Sequence, residues 1–108
     1  MLPSGTVIDT AAHDADAKLC SIERALYEGL IKLRDRVRAN PESRRTIEQQ
    51  FRLKNTRGYG VNSFLDHTTP INILAHLIIG SEGTLAFVAE ATCRTVPVPT
   101  HTATGLLV

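Results

Sequence analysis

Tryptophan is absent from this sequence, and aromatic residues of all kinds make up only 5% of its 108 positions. So few flat side chains argue against a platform that stacks successive bases. The formal net charge is +1, which gives no general electrostatic footprint for nucleic acid, and no nucleic-acid partner is expected. No apolar run approaches the ~20 residues of a membrane span. The N-terminal stretch has neither a basic n-region nor an apolar h-region, so it does not read as a signal peptide. Cysteine is scarce as well: Cys20 and Cys93 stand far apart, with no C-x-x-C or zinc spacing. They read as reduced thiols of a cytoplasmic protein. His13, His67, His76 and His101 form no i,i+3 or i,i+4 pair and no carboxylate cluster frames them, so no metal site is expected. His76 falls in an apolar stretch and reads as a hydrogen-bonded core or interface residue. Ser81 is not in a G-x-S-x-G context, and the glycines around it lack the lysine of a P-loop.

What is present suits one modest globular domain: 43% hydrophobic and 21% charged residues. The ends are unusual. Pro3-Ser4-Gly5 is a turn signal with only Met1 and Leu2 ahead of it, and residues 105–108 close the chain in an apolar run. Both ends read as cut from a longer chain, and 1–108 as a single partial domain. Residues 6–10 read as a short strand and 11–18 as a polar loop. A helix is expected from about Ser21, which can cap it, with Ile22, Ala25, Leu26, Leu30, Leu33 and Val37 on one face. Glu28 and Lys32 stand i,i+4 on the outer face. Asn40-Pro41 ends that helix and caps another over about 41–51; Thr69-Pro70 repeats the device before the apolar Ile71, Ile73, Leu74, Leu77 and Ile78. Gly80 is the natural stop. Residues 85–96 alternate in the manner of a strand until Pro97, and 102–108 would add another. The order predicts an α+β fold, an antiparallel sheet flanked by helices.

Two loops draw functional interest. Lys54-Asn55-Thr56-Arg57-Gly58-Tyr59-Gly60 reads either as a basic surface loop or as the polar wall of a ligand cleft. Gly80-Ser81-Glu82-Gly83-Thr84 reads either as a helix stop with a tight turn, or as backbone brought close to a flat ligand with N–H groups free to donate. The strand expected after Leu85 would then present main-chain groups to an adenine edge.

The pairing of KNTxGY with a downstream HLIIGSEGTL and Glu90-Ala91-Thr92 resembles the FAD-linked oxidases and dehydrogenases of the D-lactate dehydrogenase and glycolate oxidase type. These belong to the vanillyl-alcohol-oxidase or PCMH flavoprotein superfamily. The resemblance covers nearly the whole chain and includes the Pro3-Ser4-Gly5-Thr6 turn. It implies the second subdomain of a PCMH-type FAD-binding domain, part of an enzyme that oxidises a D-2-hydroxy acid. Ser81, Glu82, Gly83 and Thr84 would form the turn against FAD, and Val88, with Phe87 beside it, would offer main-chain contacts to adenine. Lys54, Asn55 and Tyr59 would line or support the cleft. The family usually has glycine where this chain has Ala86; a backbone at positive φ there would not tolerate the Cβ, whereas an extended one would. The pyrophosphate loops and the substrate domain are not in these residues. The resemblance therefore implies that the partner is the remainder of a parent chain in the cytoplasm or on the cytoplasmic face of the membrane, that the piece alone binds FAD weakly or not at all and does not catalyse, and that its open surfaces self-associate. The alternative is a non-catalytic interaction module that has lost the cofactor.

Overall fold

The computed structural model describes residues 1–53, 58–98, 100, 101 and 105. Five helices follow in order: α1 (Ala15–Ile22), α2 (Arg24–Ala39), α3 (Pro41–Gln50), α4 (Ser63–Asp66) and α5 (Pro70–Ile78). Among the described residues there is no strand, which overturns the antiparallel sheet flanked by helices. The reason lies in pairing. An extended segment becomes a strand only beside another, and residues 85–98 find a backbone partner at one point: Phe87 donates its N–H to the Met1 carbonyl (2.9 Å) and accepts from the Met1 amine (2.6 Å). That is one rung of an antiparallel pairing, with nothing to extend it. The strand expected over 6–10 has no strand partner among the described residues either. Most of the one expected over 102–108 lies outside the described residues.

The Pro3-Ser4-Gly5 turn does form. Leu2 and Thr6 close it through a 2.8 Å N–H to carbonyl bond, with Gly5 at φ 87°. Residues 11–18 are not all loop, because α1 begins at Ala15. Ser21 therefore sits inside a helix, and its hydroxyl donates to the Lys18 carbonyl (3.0 Å) instead of capping. The chain breaks at Glu23 and restarts as α2.

The packed face of α2 differs from the one expected. Leu30 is buried and Leu26 and Val37 are partly buried, but Ile22 and Leu33 are 53% and 40% exposed. Their places are taken by Tyr27, Arg34 and Arg38, which lie at helical spacing with Leu30; Tyr27 turns its hydroxyl onto the Asp16 carboxylate, and the two arginines turn their polar tips onto backbone carbonyls of other elements. Arg38 donates to the carbonyls of Phe64 (2.9 Å), Leu65 (3.3 Å) and His67 (2.8 Å), while Arg34 reaches the Thr68 carbonyl (2.5 Å). Two arginines of α2 thereby satisfy the orphan carbonyls where α4 ends. On the exposed side Glu28 pairs with Arg24 (2.9 Å) rather than with Lys32.

Helix α2 packs against each of the other four helices. The core gathers Leu2, Ala15, Leu19, Leu30, Phe64, Ile71, Ile73, Leu74 and Ala86. Asn40 caps α3 as expected, accepting from the N–H groups of Glu42 and Ser43, both at 3.0 Å. Thr69 precedes α5 without a side-chain cap. Instead Asp16 of α1 accepts from the Ile71 N–H (3.0 Å), placing a carboxylate at the positive end of the α5 dipole. The other Asp16 oxygen takes the Tyr27 hydroxyl (3.1 Å), so one side chain ties α1, α2 and α5 together. Burial pushes the Tyr27 phenol above its ordinary value, and the Asp16 contact adds to this. No helix among the described residues is long and apolar enough to cross a membrane.

Candidate functional site

The α5 helix ends at Ile78, and the next six residues reverse the chain. Gly80, Glu82 and Gly83 all have positive φ, at 79°, 52° and 77°. Two of the three are glycines, for which this region costs nothing; Glu82 occupies it with a Cβ, at a penalty. Ser81 donates its N–H to the Ile78 carbonyl (3.0 Å) and is buried. Thr84 closes the turn twice on the Ser81 carbonyl, through its N–H (3.0 Å) and its hydroxyl (2.7 Å). The Glu82 carboxylate and Gly83 are exposed. A Cβ at Gly83 would meet only open space, so this glycine answers backbone conformation rather than crowding.

The other loop of interest packs onto this turn. The Tyr59 and Thr84 hydroxyls lie 2.9 Å apart. Gly60 passes so close to the end of α5 that a Cβ there would stand 3.1 Å from the His76 carbonyl. Of the residues singled out in the sequence, Tyr59, Ser81, Glu82, Gly83 and Thr84 are thus brought into one neighbourhood. Lys54 and Asn55 lie outside the described residues.

Past the turn, Ala86 is buried in the core at 7% exposure. Its φ is not positive, so the methyl group that replaces the expected glycine is accommodated as packing. Phe87 and Val88 follow with exposed side chains. Their backbones differ. Both polar groups of Phe87 are engaged by Met1, whereas those of Val88 have no backbone partner among the described residues. A planar ligand edge would therefore find main-chain groups at Val88 and not at Phe87.

One pairing escaped the spacing rules. The rings of His67 and His76 stack with centroids 3.8 Å apart, although nine positions separate them in sequence. His76 is exposed, and its Nδ1 is 2.8 Å from the Asn72 carbonyl, which leaves the other ring nitrogen outward. Burial lowers the His67 pKa below its ordinary 6.5, and the neighbouring His76 lowers it further. Two imidazoles alone make no metal centre, and no cluster of three ligating groups occurs among the described residues. The signal available in the sequence was weak: a histidine closing α4 and another one helical turn from the end of α5.

No protein-family model, no curated protein and no solved structure matches this chain.

Proposed function

We propose that this chain is the FAD-binding portion of a flavoprotein oxidoreductase acting on a D-2-hydroxy acid of the lactate or glycolate kind. The observation that carries the reading is the Tyr59–Thr84 contact at 2.9 Å. It joins the two sequence segments on which the resemblance rests, although 25 positions separate them. The turn at 80–84 would lie against the cofactor, and the main-chain groups of Val88, which have no backbone partner among the described residues, would meet the adenine edge. When bound, the flavin supplies the hydride acceptor; this chain's residues bind and orient it, and none is assigned as the base. The remainder of a parent chain, in the cytoplasm or at its inner membrane face, would complete the cleft and carry the substrate groups. Alone, the piece pays the association entropy with half the contacts and binds FAD weakly.

A second reading is favoured by the absence of any sheet among residues 1–53 and 58–98: a helical interaction module that carries the turn without the cofactor. The parent chain separates the two. Purified after reconstitution with FAD, it shows flavin absorbance under the first reading and stays colourless under the second. An upstream reading frame with no glycine-rich loop also defeats the first.

A further inference from the structure

The chain's near-neutral charge conceals a strong polarity. Nine of its twelve basic residues fall between positions 32 and 57, with only three acids among them. Away from the 80–84 turn, Arg38, Arg44 and Arg52 of this segment border a cleft of about 670 Å³ between α3 and the α2–α4 body. That volume lies within the range of small-molecule sites. Its apolar surface comes from Ile47 of α3, from Phe51 at its C-terminal cap and from Leu65 of α4, and its cations are Arg38, Arg44 and Arg52.

Helix α3 is amphipathic yet buries no residue. Its apolar side, Ile47 and Phe51, is only partly covered and looks onto the cleft. Two carboxylates also line it and offset part of this charge, leaving the three arginines in excess by one. Glu48 faces Arg44 at 3.8 Å, and Asp66 accepts from the Asn62 amide at 2.8 Å. Arg38 is committed to three backbone carbonyls and keeps its positive charge there. Arg44, exposed and held only loosely, can swing from Glu48 to a better acceptor. The guanidinium fork suits a carboxylate or phosphate, and the phenyl and aliphatic walls suit a hydrocarbon body.

We infer that the cleft between α3 and α4 binds a small, freely diffusing amphiphile that bears one phosphate or carboxylate on an apolar body. Arg44 and Arg52 take the anion, and Ile47, Phe51 and Leu65 take the body. This site is independent of the turn at 80–84 and of any flavin.

Octyl phosphate is a suitable probe, titrated into the isotope-labelled chain and followed by amide chemical shifts. Saturable shifts confined to residues 44–53 and 62–66 are expected. The Arg44→Ala/Arg52→Ala variant should weaken the affinity at least tenfold while keeping its helical circular dichroism. If that variant fails to fold, Arg52→Gln alone should still weaken binding severalfold. Inorganic phosphate and octyl glucoside should each bind at least tenfold more weakly than octyl phosphate. Equal binding of octylamine or octyl glucoside, unchanged affinity in the arginine variants, or shifts centred on residues 85–98 would overturn the proposal. So would binding only to phosphatidic-acid vesicles, which would make the face a membrane contact rather than a pocket.

Discussion

Three residues decide much of the local geometry, and each makes a distinct prediction. Glu82 sits at φ 52° between glycines, a conformation that disfavours any residue with a Cβ. Replacing it with glycine should raise stability by about 0.5–1 kcal/mol, since relief of the backbone strain exceeds the extra entropy of the unfolded chain. Denaturant melts of Glu82→Gly read this directly. Gly60 works in the opposite sense: an alanine Cβ would press to 3.1 Å of the His76 carbonyl. That neighbour is backbone and cannot rotate away, so Gly60→Ala should cost about 1–3 kcal/mol and loosen the Tyr59–Thr84 contact. Arg38 holds three carbonyls at the close of α4. Arg38→Ala should cost about 2–3 kcal/mol, because partly buried acceptors lose a charged donor. Lysine, with a point charge in place of a fork, should recover less than half of that loss.

Helices, more than strands, were legible in the order of residues. The Asn40-Pro41 and Thr69-Pro70 signals placed the starts of α3 and α5, because a fixed proline φ and a missing N–H act locally. The extended segments misled for the complementary reason. Alternation over 85–96 describes which way side chains point, but a strand also requires a partner that no local pattern supplies. The face of α2 was misread because Arg34 and Arg38 look solvent-facing by residue type, while their stems lie along the core and only their tips are polar. Of the site, the 80–84 turn was readable from its glycines. Its contact with Tyr59 was not, since it depends on how α4 folds the intervening chain back. The connection between α4 and α5 also sets a pH dependence. His67 is held below its ordinary 6.5 by burial and by His76, with Asp66 opposing. Unfolded chains take up this proton near 6.5, whereas the folded chain resists until lower pH. Stability should therefore be full above 6.5 and fall as pH drops from there through the lowered folded value. In His67→Gln that part of the slope should vanish, as urea melts at a series of pH values would reveal.

The molecule is extended for its length, with a radius of gyration of 17.0 Å against about 13 Å for a compact chain of about this size. The helical body accounts for the core, and residues 87–98 run outward with every side chain exposed, including Phe87, Val88, Val96 and Val98. Over 88–98 the backbone groups have no backbone partner among the described residues, and such a row beside exposed apolar side chains invites pairing with another chain. Concentrated samples should therefore contain dimers or larger species by light scattering, and Val96→Lys/Val98→Lys should shift them towards monomer. A strictly monomeric wild-type chain at high concentration would count against that expectation. Under the proposed flavin role, the 80–84 turn, pinned by Tyr59 and followed by the main chain of Val88, forms half of a cofactor site. The visible absorbance spectrum of the parent chain, purified after reconstitution with FAD, tests it most directly. A flavin band that survives gel filtration and is diminished in Gly60→Ala is expected; a colourless protein would contradict the proposed role.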